Sequence, residues 1–224
     1  MAGAVLAGIA VASCGSSPAP TGLGPTTSST TTTSTTTTVP PTTSTTDPGL
    51  LPQTATEPPI DSSLQTTLGP LWTAIVNDSV DSASGVFFPQ TAYLQMKTGV
   101  LPDPASDFAD RLLAFYRLDI PAYHAALGPA ASTARLLSVS ASAADAAYIP
   151  PGACENKIGY WHLPGVRFVY QVGGVEQSFA VASLISWRGQ WYVVHLGPNP
   201  RSQNIGTVDQ PAAGPGVDGP PGGC

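Results

Sequence analysis

Apolar residues recur at intervals of three and four through the first half of the region after residue 57, and at intervals of two through the second half. Leu71, Trp72, Ile75 and Val76 fall at helical spacing behind Pro70, which suits a first helical turn and predicts a helix from Pro70 to about Ser79. Asp61 reads as the N-cap of a preceding stretch that Gly69-Pro70 interrupts. Asp103-Pro104 is a second cap-plus-proline start, and Phe108, Leu112, Phe115 and Tyr116 carry that helix to about Leu118. Asp119 is expected to cap a short third helix, Pro121 to Leu127, which Gly128 stops. Phe87-Phe88 before Pro89, with Tyr93, is expected to form one wall of the interior.

From Thr133 the period is two, with Leu137 and Val139 alternating with Ser138 and Ser140. Ile158, Tyr160 and His162 share one face of a strand. Phe168, Tyr170 and Val172 share a face of the next, which turns at Gly173-Gly174. A long strand runs from Gln177 to Trp187, and Arg188-Gly189 turns it into a last strand, Trp191 to Leu196. Helices followed by a meander predict an α+β fold. Two to three N-terminal helices pack on one face of a curved antiparallel sheet of about four to five strands.

The start of the chain has no such periodicity. Met1 to Ala12 is small and apolar, Val11-Ala12-Ser13-Cys14 closes it, and Thr26 to Thr46 is nearly all Thr and Ser. This order resembles a bacterial lipoprotein precursor: an apolar leader too short to span a bilayer, a lipobox, and a cysteine that receives diacylglycerol. The resemblance implies a signal peptide over 1–14, with Cys14 lipidated and held at the extracytoplasmic face of the cell membrane. No Lys or Arg precedes Lys97, so the reading expects translation to begin upstream of Met1. Residues 15–57 read as a disordered Thr/Ser/Pro-rich tether, because a segment with no apolar face cannot offset the entropy of ordering. At about 3.1 Å per residue it reaches at most on the order of 100 Å. The globular unit is expected over 58–201, and 202–224 as a Gly/Pro-rich tail.

Charged residues make up 10% of the chain, and eight basic against fourteen acidic side chains give a net charge of −6. Four of the acids (Asp47, Glu57, Asp209, Asp218) lie outside 58–201, so that unit is nearly neutral and offers nucleic acid no electrostatic footprint. With Cys14 acylated, Cys154 and Cys224 remain, and an oxidising compartment favours their pairing over free thiols or intermolecular bridges. Such a bridge closes a loop of about 70 residues, worth roughly 4 kcal/mol in the chain-entropy picture. The three histidines, His124, His162 and His195, have no metal-ligand spacing. Neither a nucleophile elbow nor a phosphate- or dinucleotide-binding glycine pattern is present, so no metal and no cofactor is expected.

The order of elements, with Ser183 to His195 as a closing hairpin, resembles the cone-shaped nuclear-transport-factor-like or SnoaL-like fold, and actinobacterial lipoproteins of that build. The resemblance implies a pocket at the mouth of the cone, where Tyr160, His162, His195 and Asp119 are the candidates. The expected role is non-catalytic: a domain that binds a small apolar ligand, a cell-wall component or an envelope protein. The alternatives are a SnoaL-like enzyme with His or Asp as general base, and a structural envelope protein. If Cys14 carries the anchor, Cys14→Ala moves the protein from the membrane pellet to the soluble extracytoplasmic fraction; retention in the pellet contradicts the anchor.

Overall fold

The structure, a computed structural model, describes residues 46–201, 203–217 and 219. It is α+β, with helices packed against a six-stranded, wholly antiparallel sheet. The helices are α1 (Ser63–Val76), α2 (Gln90–Lys97), α3 (Pro104–Asp107) and α4 (Leu113–Leu127), the last two joined by a π-turn over Phe108–Leu112. The strands are β1 (Arg135–Ser140), β2 (Ala147–Ile149), β3 (Tyr160–Val172), β4 (Val175–Trp187), β5 (Gln190–His195) and β6 (Asp209–Ala213).

Two expected breaks are absent. Pro70 lies inside α1, where the one lost ladder bond is outweighed by burial of Leu64, Leu68, Leu71 and Ile75 on a single face. Pro121 likewise lies inside α4, so Asp119 is an interior helical residue rather than an N-cap. The cap read at Asp103 is made, its carboxylate accepting from the Ser106 amide at 3.0 Å; the N-cap of α1 is Ser62, and the Asp61 carboxylate just before it accepts from the Ser63 amide at 2.8 Å. Helix α2 was not read from the sequence. It follows Pro89 and buries Ala92, Tyr93 and Met96.

The sheet is organised by one long hairpin. β3 and β4 are 13 residues each and meet at Gly173-Gly174, both at positive φ, as are Arg188 and Gly189 in the next two-residue turn. The two strands read on either side of Pro164 are thus a single strand. β2 pairs with the Tyr160–His162 end of its outer edge and β1 with the Arg167–Gln171 end. β4 repeats the arrangement, taking β5 at Ser183–Trp187 and β6 at Gln177–Ala180. The gap in the middle of the β3 edge holds Pro164, which has no amide to donate, and Gly165 at φ +60°. A bulge between Leu136 and Ser138 turns Leu137 outward while Val139 stays buried, so the expected sharing of one face by Leu137 and Val139 does not occur.

Both ends of the described chain are bound to this sheet, which extends the globular unit beyond 58–201. Residues 47–59 form a strap held by three indole N–H groups: Trp187 donates to the Pro48 carbonyl at 2.9 Å, Trp161 to Ala55 at 3.1 Å and Trp191 to Pro59 at 3.0 Å. Gln53 adds a bond to the Ser186 carbonyl at 2.8 Å. A Cβ on Gly49 would stand 2.6 Å from the Ala92 amide nitrogen, so the strap needs glycine there to reach the start of α2. After Arg201, β6 joins the sheet, and the Arg167 guanidinium binds the Gln210 carbonyl at 2.7 Å and the Val217 carbonyl. The Gly219 amide donates to Gly165 at 3.2 Å.

The return of the C-terminal segment is organised by Asp119. Its buried carboxylate accepts from both Arg201 Nη groups at 2.8 Å, from the Gly197 amide at 3.0 Å and from the Thr207 amide at 3.2 Å. Asp119→Ala removes one partner of a nearly solvent-free ion pair and is predicted to lower stability by about 3–5 kcal/mol, measured by urea unfolding.

Candidate functional site

A cavity of about 650 Å³ opens between the helices α2 and α3 and the ends of β3, β4 and β5. That volume lies within the range that accepts a small molecule. Its wall is apolar at Met96, Leu101, Pro164, Ala182, Ile185 and Val194. The polar groups come from four directions: Tyr93 and Lys97 on α2, Arg111 in the π-turn, Asn156 in the loop before β3, and His162, Ser183 and His195 on neighbouring strands. Strand register explains the last three, since Ser183 lies opposite Pro164 on one side and His195 on the other, at a bulge between Ser183 and Leu184.

On the helical side, Arg111 makes a two-pronged contact with Asp107, Nε to Oδ1 at 2.8 Å and Nη2 to Oδ2 at 2.7 Å, and also donates to Tyr93 Oη at 2.9 Å. The Tyr93 hydroxyl donates to the same carboxylate. The bond from Arg111 holds the Asp107 carboxyl below its ordinary value, while burial and then the bond to Asp107 raise Tyr93. This cluster is internally neutralised. Lys97, lowered by burial, donates to the Glu155 carbonyl at 3.0 Å. Asn156 donates to Tyr160 Oη at 3.2 Å, and burial raises Tyr160.

On the sheet side, His162 Nε2 and Ser183 Oγ are 2.5 Å apart. His195 is the unusual group: its Nδ1 is buried with no hydrogen-bond partner among the described residues. Burial, and then the positive charges of Arg111 and Arg201, pull its pKa down to about 3, so the imidazole is neutral at physiological pH. A neutral imidazole can donate from one nitrogen and accept at the other.

Of the four residues proposed for the pocket, Tyr160, His162 and His195 line this cavity together. Asp119 does not. It faces the C-terminal segment, because the interior of a continuous α4 directs its carboxylate at Arg201 and the Gly197 and Thr207 amides. The third histidine, His124, is bonded through Nδ1 to the Ile75 carbonyl at 2.9 Å, between helices. Sequence reasoning missed Ser183, Arg111, Tyr93 and Lys97. The i, i+4 pair Asp107 and Arg111 was a legible signal, but only for a helical pair. Among the described residues, no three His, Cys, Asp or Glu side chains converge to hold a metal ion.

No family model, curated protein or solved structure matches the chain.

Because His195 binds its proton more weakly when folded than its ordinary 6.5, acid favours unfolding. Its stabilising contribution is complete above that value and is lost as pH falls toward 3. Between pH 6 and 4 the unfolding free energy is predicted to fall more steeply in the native protein than in His195→Gln, by up to about 1.4 kcal/mol per pH unit, measured as urea midpoints at each pH.

Proposed function

We propose that the protein is a lipid-anchored, extracytoplasmic small-molecule-binding protein whose ligand occupies the cavity between α2, α3 and the sheet. The observation that carries the reading is the cavity itself, about 650 Å³, in which apolar side chains alternate with convergent polar groups that include the neutral His195 imidazole. A ligand fitting it is small and presents both apolar surface and polar groups to this lining. A concave site of this volume suits a small molecule better than an envelope protein or a cell-wall polymer, which need an extended surface. The second reading, a small-molecule enzyme, is favoured by the joint placement of His162, Ser183 and His195.

The anchor at Cys14 and the tether rest on the pattern of residues 1–45, which lie outside the described residues. No helix of the described residues is long and apolar enough to cross a membrane. Kinship with the cone fold is part of the same proposal, supported by the order of helices before an antiparallel meander. So is the pairing of Cys154 with Cys224, which lies outside the described residues. It is supported by the return of the C-terminal segment to the sheet, where the Gly219 amide donates to Gly165, a residue that lines the same cavity as Cys154.

The cavity reading is tested with an apolar fluorescent probe, 1-anilinonaphthalene-8-sulfonate, added to the full-length protein. One saturable site is expected, abolished by Ala182→Trp, which fills the cavity, in a variant whose thermal unfolding stays cooperative. Binding that is absent, or unchanged in the folded variant, contradicts the reading.

A further inference from the structure

Ser183, His162 and His195 stand on three consecutive strands of the sheet, with the serine in the middle strand. Ser183 is half-exposed to the cavity, and its hydroxyl meets His162 Nε2 at 2.5 Å. A bulge immediately after Ser183 shifts the β4–β5 register there, and the facing residue on β3 is Pro164. Bulges of this kind re-aim a side chain, and they recur beside reactive groups. His195, opposite Ser183 on β5, keeps a ring nitrogen without a partner. With Nδ1 buried and unbonded, Nε2 is the His195 nitrogen left to face a ligand, and it does so from the strand next to Ser183.

We propose that Ser183 is a nucleophile for acyl transfer, with His162 as its general base and the Nε2–H of His195, the ring nitrogen not buried in the wall, as donor to the developing oxyanion. This rests on the cavity admitting a small ligand. The substrate class is a small uncharged ester or thioester with an apolar acyl group, matched to a wall of Met96, Leu101, Ile185 and Val194.

In the first half-reaction the Ser183 Oγ–H proton passes to His162 Nε2 as Oγ bonds to the acyl carbon. The carbonyl oxygen becomes an oxyanion and accepts from His195, whose neutral imidazole can polarise it without giving up charge. Collapse breaks the bond to the leaving oxygen or sulfur, which takes the proton from His162. Water then repeats the sequence on the acyl-serine, with His162 accepting its proton, and releases the carboxylic acid with Ser183 restored. Acyl substrate and water are consumed, and alcohol or thiol and acid are formed. No oxidant, metal or cofactor enters.

The test uses the full-length protein and a fluorophosphonate–biotin probe, whose phosphorus–fluorine bond breaks as the serine oxygen bonds to phosphorus. The expected result is a single adduct mapped by mass spectrometry to Ser183. It is absent in Ser183→Ala, and forms at least a hundredfold more slowly in His162→Gln. Because the adduct is mapped on the unaltered protein, the outcome does not depend on a variant folding. No adduct at Ser183, or an adduct forming at an unchanged rate in folded His162→Gln, overturns the proposal. If 1-anilinonaphthalene-8-sulfonate still binds in that case, only the nucleophile fails; if dye binding is lost as well, the cavity reading fails with it.

Discussion

A proline in the middle of a central strand is the constraint around which this sheet is built. Pro164 cannot donate to a ladder, and Gly165 beside it takes a backbone conformation that other residues adopt only under strain. One edge of β3 therefore cannot be paired without interruption. Two short strands, β1 and β2, share it, and β5 and β6 divide the far edge of β4 in the same way. Between those divided edges the ladder leaves room for side chains instead of neighbours. His162 stands just before the break, Ser183 across from it and His195 beyond. The cavity is the consequence of the interruption.

A sheet divided in this way needs closing from outside, and the two ends of the domain supply it. The strap over 47–59 contributes carbonyl oxygens to three indole N–H groups of the sheet. The C-terminal segment contributes Arg201 to a carboxylate at the centre of α4, and backbone carbonyls to Arg167. Few charges are available in this sequence, and the buried ones are spent on fixing chain ends in place. The helices are tied down differently, by tyrosine hydroxyls: Tyr116 donates to the Val193 carbonyl at 2.8 Å, and Tyr123 sits 2.7 Å from both the Ala180 and Leu196 carbonyls. These contacts place α4 on the sheet, and with it the π-turn that carries Arg111 into the cavity wall.

Local periodicity was enough to read the α+β class, the cap at Asp103, the long strand β4 and its turn at Arg188-Gly189. It failed wherever tertiary burial overrides a local signal. Pro70 and Pro121 look like breaks but lie within helices whose apolar faces are buried. Pro164 looks like a strand end, yet β3 runs through it because β4 pairs on its other edge. Asp119 looks like a cap because nothing local announces Arg201, which is 82 residues away. Strand alternation put Tyr160 and His162 on one face, and the resemblance to a cone with a pocket at its mouth added His195 to them; all three line the cavity. Ser183 was not, since in a run of small residues its distinction comes from a bulge and from a partner on another strand.

The site is thus a chamber of mixed polar and apolar lining in which one imidazole is kept neutral, and binding and acyl transfer both depend on that state. Its most direct measure is a long-range ¹H–¹⁵N NMR spectrum of the histidine side chains, followed from pH 8 to pH 4. The account predicts that the His195 nitrogens keep the shifts of a neutral ring across that range. A His195 that titrates near 6.5, as a solvated histidine does, would contradict it.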